Sequence, residues 1–412
     1  MTAALHVSAG TQRDEEAFRR LGVCAAVYAA WTRAGADEAA VAPHCFGLDA
    51  AVDVLEQYVL EGSGDAEPPA VRRFERTPSA EEFTELLLAN LPCVFPRDAG
   101  DALWETCRAW TAAGQPSVAE LLRAFPADTV VSAASTSGRT KLTLEEYADW
   151  WRCNVDDDGT VRAASETGAL YLKDLQFCRG LAFTSPRLFD DWLGECYDAR
   201  RAAEGSGGAV PDLRFVYLGP AGTLTPLHAD VWGTHSWSTN LCGVKRWHFV
   251  APWEAHKLFD RWGGRNASSF DDSPFLYPAL RRARVVEVTQ NAHEIMFVPS
   301  GWFHIVRNQT AALSVNANWA NASNLPHLVA HARSECAASP EGPPLAPLLY
   351  TYISFAAERA LRVDKPGPDA LAERMRQLTL ARVADVLECW PELAPGASDL
   401  ALRCRAAMIC GD

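Results

Sequence analysis

Thr225-Pro-Leu-His228-Ala-Asp230 and the later stretch Phe297-Val-Pro-Ser-Gly-Trp-Phe-His304 are the two segments from which the strands and the metal site of this chain can be predicted. Alternate side chains of a β-strand share a face, so His228 and Asp230 can reach one ion from the same strand. His304 follows a turn and begins a second strand, which can bring a third ligand. Two imidazoles and one carboxylate are typical of non-haem Fe(II), whereas structural zinc takes a fourth protein ligand. We therefore predict a metal site formed by His228, Asp230 and His304.

The composition limits the class of protein. The 412 residues carry a net charge of -14, which argues against a general binder of nucleic acid or anionic membranes, because both need a basic face. The 12 cysteines form no C-x-x-C pair and are expected to be reduced thiols. The apolar stretch 21–31 is too short to span a bilayer and follows acidic residues, unlike a signal peptide. We expect a cytoplasmic protein, with a nuclear pool left open, that contacts neither nucleic acid nor membrane directly.

The pattern of predicted elements divides the chain into three parts. Residues 1–70 are alanine-rich and end in a linker-like Gly-Ser-Pro stretch, which predicts a partly helical or disordered N-terminal extension. Residues 71–325 begin with a capped helix from about Thr77 and then carry many short, turn-separated strands, which favour a sandwich or barrel over βαβ units. Residues 326–412 show helical periodicity. The expected fold is mainly β with flanking helices and a helical C-terminal region.

Three stretches carry a resemblance to a known family: Thr225 to Asp230, Gly243-Val-Lys245-Arg-Trp247, and Val298 to His304. In these the chain is similar to the Jumonji-C (JmjC) oxygenases, which depend on Fe(II) and 2-oxoglutarate and use O2. The similarity extends from about Phe74 to Leu325. It implies a double-stranded β-helix, a jelly-roll or cupin-like core.

Further stretches resemble one branch of that family, the JmjC domain-containing protein 4 type. They are Tyr171-Leu-Lys-Asp174, Ser236 to Gly243, and Asn316 to Leu325. This branch is understood to hydroxylate a lysine of the eukaryotic translation termination factor. The resemblance therefore implies a lysyl hydroxylase whose partner is that factor.

The resemblance also assigns roles to residues around the metal. It makes His228, Asp230 and His304 the iron ligands and places Lys245 against the distal carboxylate of 2-oxoglutarate. From the sequence alone, Lys245 beside Arg246 could equally be a solvated surface charge. Lys173 is a rival partner for the same carboxylate.

Hydroxyl and amide side chains are expected to complete the cosubstrate pocket. Thr225 and Tyr171 can donate hydrogen bonds to the carboxylate, and Asn316 and Asn318 alternate on a late strand, so that at least one is expected to face the metal. Ser238 stands where some relatives carry an asparagine that bonds the cosubstrate, which makes Asn240 the candidate substitute. His235 is expected on the loop after Asp230, either at the substrate mouth or in a structural role.

The implied chemistry needs no side-chain nucleophile, since the metal carries it. The first hypothesis is an Fe(II)- and 2-oxoglutarate-dependent protein hydroxylase. One alternative is an N-methyl-lysine demethylase, although no zinc-binding reader module or basic tract is visible. Another is a non-catalytic cupin-like binding scaffold.

Overall fold

The computed structural model describes residues 70–97, 102–135, 138–162, 165, 168–176, 188–204, 211–260, 266–277, 279–338, 345–362 and 370–409. The predicted N-terminal extension lies outside these residues apart from Ala70. Among the described residues, no helix combines the length and the apolar character needed to cross a bilayer.

Fifteen strands are described, and most pair antiparallel. They are β1 (Arg72–Arg73), β2 (Cys93–Pro96), β3 (Thr111–Ala112), β4 (Gln115–Pro116), β5 (Val130–Ser135), β6 (Gly138–Thr143), β7 (Tyr171–Gln176), β8 (Arg214–Gly219), β9 (Leu224–His228), β10 (His235–Cys242), β11 (Lys245–Val250), β12 (Val286–Gln290), β13 (Glu294–Val298), β14 (Phe303–Asn308) and β15 (Ala312–Trp319).

Two sheets form the centre of the molecule. The large sheet has nine strands in the order β1-β2-β13-β10-β15-β8-β7-β5-β6, and the small sheet has four in the order β12-β11-β14-β9. From β8 onward the chain repeatedly crosses from one sheet to the other, so its strands wind around a shared interior. This arrangement confirms the predicted mainly β fold with a jelly-roll core.

Helices precede, interrupt and follow the strands. Described α-helices are α1 (Ala80–Leu88), α2 (Ala102–Cys107), α3 (Val118–Ala124), α4 (Leu144–Asn154), α5 (Trp192–Glu204), α6 (Leu325–Ala338), α7 (Leu345–Leu361), α8 (Ala370–Cys389) and α9 (Ala397–Ile409). The predicted capped start of α1 is confirmed: Glu82 N donates to Ser79 Oγ (3.2 Å), and Ser79 N donates to Glu82 Oε2 (2.8 Å). This reciprocal capping box satisfies two otherwise unpaired N–H groups. Helices α6 to α9 confirm the predicted helical C-terminal region.

The hydrophobic packing is distributed around the sheets as well as between them. The outer face of the large sheet packs with α1, α3 and α4 in one cluster that includes Phe83, Tyr147, Trp237 and Trp319. The C-terminal helices bury a second cluster around Tyr352 and Leu387. A smaller apolar cluster, with Trp247, Phe249 and Met296, fills one side of the space between the sheets. The other side of that space is lined by polar residues, and the metal-ligand candidates lie there.

Candidate metal centre

His228 and His304 are brought together by strand pairing. His228 is the last residue of β9, and His304 pairs directly with it on β14. Their ring centroids are 4.3 Å apart. A register shift follows immediately on β14, between His304 and Val306. The antiparallel pair therefore fixes both imidazoles on the same side of the small sheet.

Backbone carbonyls fix the orientation of both rings. His228 Nδ1 lies 2.8 Å from the Pro226 carbonyl oxygen, and His304 Nδ1 lies 3.1 Å from that of Trp302. A carbonyl oxygen can only accept, so each Nδ1 carries the proton and donates it. Each Nε2 is then left with its lone pair, which is the arrangement found in metal-ligating histidines.

Asp230 completes the group from the residues just after β9. One donor atom from each of His228, Asp230 and His304 lies within 4.8 Å of the others. Ser236 Oγ, on β10, donates to Asp230 Oδ2 at 2.7 Å and so holds the carboxylate in place. Ser236 was not identified from the sequence, although its position two residues before Ser238 on the same strand face was a usable signal.

Burial keeps His304 neutral. The ring is packed against Trp247 and Phe249, and desolvation, followed by the electrostatic effect of the neighbouring His228 ring, lowers the pKa of His304 to about 4. A neutral imidazole is the form that binds a metal.

Lys245 lies deep between the two sheets. Its side chain is 2% exposed, and its Nζ donates to Ser314 Oγ at 2.5 Å across the interior, from β11 to β15. Desolvation lowers its pKa to about 7. Among the described residues it has no carboxylate partner. Lys245 is therefore not a solvated surface charge, whereas its neighbour Arg246 is exposed and pairs with Glu287.

Tyr171 and Thr225 lie near one another, with Asn308 beside them. Burial raises the pKa of the Tyr171 hydroxyl to about 12, and the Thr225 and Asn308 side chains act in the opposite direction. No described polar atom forms a well-aligned hydrogen bond with this hydroxyl. Asn308 donates to Thr223 Oγ1 (2.9 Å) and was not identified from the sequence.

The inner face of β10 and β15 is a polar ladder of three cross-strand pairs: Ser236 with Asn318, Ser238 with Asn316, and Asn240 with Ser314. Asn316 Nδ2 donates to Ser314 Oγ at 3.1 Å, and thus joins the group that holds Lys245. Asn318 Nδ2 instead donates to Thr234 Oγ1 at 3.0 Å. The pairs are half-buried at the Ser236 end and buried at the Asn240 end. The ladder therefore leads from the metal ligands inward towards Lys245.

Ser238 and Asn240 both keep unused bonding capacity on this ladder. No described group bonds Ser238 Oγ or Asn240 Oδ1, while Asn240 Nδ2 donates to the Gly243 carbonyl oxygen at 2.8 Å. Either residue can supply a polar atom to a ligand from where it lies. Which of them contacts the cosubstrate stays a prediction.

Lys173 shares the inner face of β7 with Tyr171. Its Nζ lies 5.0 Å from the centre of the Tyr171 ring, and burial, followed by the charge of Arg139, lowers its pKa to about 8. Its charge also lowers the pKa of Lys245. Lys173 is thus close enough to the pocket to stay a rival for the carboxylate, although Lys245 is the more deeply buried of the two.

The prediction that His235 lies on the loop after Asp230 is wrong. His235 is the first residue of β10, is fully buried, and bonds Ser300 and Ser323. Its side chain lies on the same strand face as Trp237, opposite to the polar ladder. The alternative, a structural role, fits this environment.

The donor set fits Fe(II). It offers two imidazole nitrogens with free lone pairs and one carboxylate, held by strand pairing and by hydrogen bonds to the ligands themselves. Three protein ligands leave coordination positions for small molecules, as in the facial triads of non-haem iron proteins.

Comparison with known proteins places this fold and site in a family. Residues 215–319 match the model of the JmjC domain, described as a hydroxylase. The human protein named 2-oxoglutarate and iron-dependent oxygenase JMJD4 is 36% identical over 288 residues, which cover 64% of this chain and 65% of the human protein. The Drosophila melanogaster JMJD4 homolog is 31% identical over 312 residues, covering 66% of this chain and 70% of the fly protein. An Arabidopsis thaliana protein named arginine-specific demethylase JMJ20 is 36% identical over 201 residues, or 45% of this chain and 42% of that protein.

The chain thus spans slightly less than two thirds of the human relative and more than two thirds of the fly relative. The aligned length, the JmjC match and the His-Asp-His cluster agree with one another. On these grounds the chain belongs to the JMJD4 family of JmjC-domain, 2-oxoglutarate- and iron-dependent oxygenases.

Proposed function

We propose that this chain is an Fe(II)- and 2-oxoglutarate-dependent protein hydroxylase. The observation that carries the proposal is the pairing of the His228, Asp230 and His304 cluster with a buried lysine that has no described carboxylate partner. A buried cation without a counter-ion is costly, so Lys245 is poised for an anion supplied by a ligand. In this proposal one end of the dicarboxylate 2-oxoglutarate binds the metal and the other end binds Lys245.

In this proposal the chain's own residues bind and orient the reactants. Lys245 and Ser314 hold the distal carboxylate, with Tyr171, Thr225, Asn316, Ser238 or Asn240 as further hydrogen-bonding neighbours. Bound Fe(II), together with 2-oxoglutarate and O2, supplies the oxidising chemistry that inserts oxygen into a C–H bond. Apolar packing by Trp247 and Phe249 limits water on one side of the metal centre.

We further propose that the substrate is a lysine in a translation termination factor. The support is the resemblance in the three stretches of this branch, together with the half-exposed positions of His228 and Asp230, which let a side chain from another protein approach. A net charge of -14 also suits a basic segment. The cytoplasm, where such a factor works, is part of the same proposal.

Removal of an N-methyl group is the second candidate. The name of the Arabidopsis relative, arginine-specific demethylase, favours it, since that protein is 36% identical over 201 residues. Hydroxylation of an N-methyl carbon gives an unstable product that loses formaldehyde, so the two activities share one metal site. They differ in the modified peptide: one gains an oxygen atom and the other loses a methylene unit.

The test uses purified protein with Fe(II), 2-oxoglutarate and a recombinant translation termination factor, followed by succinate measurement and peptide mass spectrometry. We expect succinate and one lysine that has gained an oxygen atom, both absent with His228→Ala or Asp230→Ala. Succinate without a modified peptide would keep the oxygenase and reject this substrate. Full turnover by either variant would contradict the metal assignment, and a protein that neither binds iron nor forms succinate would be the non-catalytic scaffold.

A further inference from the structure

Both segments that carry the metal ligands into the site lie against the start of the C-terminal helical region. The first is the turn after Asp230, a 3-10 helix at Val231–Gly233. Trp232 in this turn has a φ of 58°, in the left-handed region that costs a non-glycine residue about 1 kcal/mol or more. Its indole packs into the apolar cluster of the C-terminal helices. That contact compensates the backbone cost and fixes the turn directly behind Asp230.

Gly233 makes the contact closer still. A Cβ at this position would lie 3.1 Å from the carbonyl oxygen of His327, in the first turn of α6. The backbone of the Asp230 turn therefore rests on α6 without a side chain between them.

The second segment is the turn Pro299 to Trp302, which leads into His304. Every polar group of Ser300 in this turn is bonded: its N–H donates to His235 Nδ1 (3.0 Å), its Oγ accepts from Asn324 Nδ2 (3.1 Å), and its carbonyl oxygen accepts from Asn90 Nδ2 (2.9 Å). His235 Nδ1 is thus an acceptor, so its Nε2–H donates to Ser323 Oγ at 3.0 Å. Ser323 and Asn324 immediately precede α6.

The segment before α6 is in turn held by α8. Arg382 Nη1 donates to the carbonyl oxygens of Ala322 (2.9 Å) and Ser323 (2.8 Å). Asn321 closes the segment on itself, since its Oδ1 accepts from Ser323 N and its N–H donates to Asn324 Oδ1. A continuous set of hydrogen bonds therefore runs from α8, through residues 321–324, to the turn before His304.

We propose that Arg382, Asn324, Ser323 and His235 are positioning residues for the metal centre, through which the C-terminal helical region sets the separation of Asp230 and His304. Their described hydrogen bonds go to the segment before α6 and to Ser300. They act on the turn before His304, while Trp232 and Gly233 hold the turn after Asp230 against the same helical region. The C-terminal helices would then control the affinity for the metal as well as the stability of the fold. This inference rests on the proposed metal site and does not depend on the identity of the substrate.

The test measures the affinity of the full-length apoprotein for Co(II), by titrating the absorption band of the bound ion, and its thermal unfolding in parallel. We expect Arg382→Gln to weaken Co(II) binding by up to about tenfold, the lower end of the effect of removing a group bonded directly to a metal ligand. Arg382→Lys should restore most of the affinity, since an ammonium can still donate to the two carbonyls. Ser300→Ala, a smaller change that removes the acceptor of Asn324, should also weaken binding and gives an independent reading should the arginine variant fail to fold.

Arg405→Gln is the matched control. Arg405 lies on α9 and pairs with Asp385 and Glu388 of α8, so its loss disturbs the same helix without touching residues 321–324. It should lower the unfolding temperature and leave Co(II) affinity unchanged. Wild-type affinity in Arg382→Gln or in Ser300→Ala, or an equal loss in Arg405→Gln, would overturn the inference while leaving the proposed function intact. A wild-type protein that binds no Co(II) would overturn both.

Discussion

The two faces of β10 and β15 differ sharply, although alternate residues of the same two strands form them. The outer face carries Trp237, Leu241, Val315 and Trp319, which pack against helices in the largest apolar cluster. The inner face carries the polar ladder, with hydroxyl and amide atoms that lack described partners. In an ordinary jelly roll the interior is the core. Here much of the core lies outside the barrel, which leaves one side of the interior for a polar ligand.

The division implies that stability and function are separable by face. The outer face buries area and tolerates no cavities, whereas the inner face holds polar groups whose full satisfaction requires a ligand. Shortening an outward-facing side chain should then lower the free energy of unfolding, whereas shortening its inward-facing neighbour should mainly affect ligand binding.

The largest effect on stability is expected for Trp237→Ala. The ring is fully buried and stacks on Phe189 at 5.8 Å, so its loss should lower the free energy of unfolding by about 3–5 kcal/mol. Ser238→Ala, one residue along on the other face, removes a buried hydroxyl with no described partner and should leave the free energy of unfolding nearly unchanged, because an unpaired buried polar group contributes no stability. Urea unfolding of both variants measures the difference, and similar losses would contradict the division.

Lys245→Met should separate binding from stability at one residue. Removal of the cation is expected to weaken 2-oxoglutarate binding about a hundredfold, because the carboxylate loses a buried charge-assisted partner. The ligand-free protein should become more stable by about 1 kcal/mol or more, since an unpaired buried ammonium is replaced by an apolar chain of similar volume. Calorimetric titration and urea unfolding report the two effects.

Arg246→Met is the control for that substitution, as its exposed side chain lies on the other face of β11. It should alter neither the affinity for 2-oxoglutarate nor the free energy of unfolding appreciably. If 2-oxoglutarate binding survives Lys245→Met, the carboxylate role passes to Lys173.

A smaller effect is expected for Ser236→Ala at the open end of the ladder. It removes the hydrogen bond to Asp230 Oδ2 and should weaken metal binding by about tenfold. Ser238→Ala, which touches no ligand of the proposed metal, should bind Co(II) as the wild type does. Equal affinities in the two variants would mean that Asp230 needs no support from β10.

The smallest effect is expected from pH. The pKa of Lys245 is lowered to about 7 in the free protein, and the bound carboxylate needs the charged form. Between about pH 7 and pH 8, 2-oxoglutarate affinity should fall about fivefold, with uptake of a proton on binding. The unfolded chain binds this proton up to about pH 10.5, so this lysine makes the ligand-free fold more stable as pH rises above 7. Calorimetry in two buffers of different ionisation enthalpy would detect the proton, and pH-independent binding would argue against Lys245.

The sequence predicted the strands that carry the site because their alternation is regular. His228 and Asp230 share a face by spacing alone, and the strands around them were located to within a few residues. The hairpin β5–β6 was missed because β6 is mostly polar and exposed, and β5 buries only Val131 and Ala133 while Val130 is 59% exposed, which is too short an alternation to identify a strand.

The burial of Lys245 and of His235 could have been predicted from the alternation of residues along their strands. The depth of Lys245 was left open, yet Lys245, Trp247 and Phe249 occupy alternate positions, and the two aromatic residues indicate the inward face. His235 was placed on a loop, although it alternates with the buried Trp237. By contrast, the contacts of Ser300 with His235 and Asn324 join residues distant in the chain, and local patterns carry no information on them.

The pairing of His228 with His304 has a consequence for how the protein matures. The two residues lie far apart in the sequence, and they meet only when β9 pairs with β14. Pairing between segments so distant in the chain costs loop-closure entropy and slows folding. A nascent chain therefore cannot bind its metal with all three ligands until synthesis has passed β14. Iron binding then indicates that β9 and β14 have paired in the small sheet.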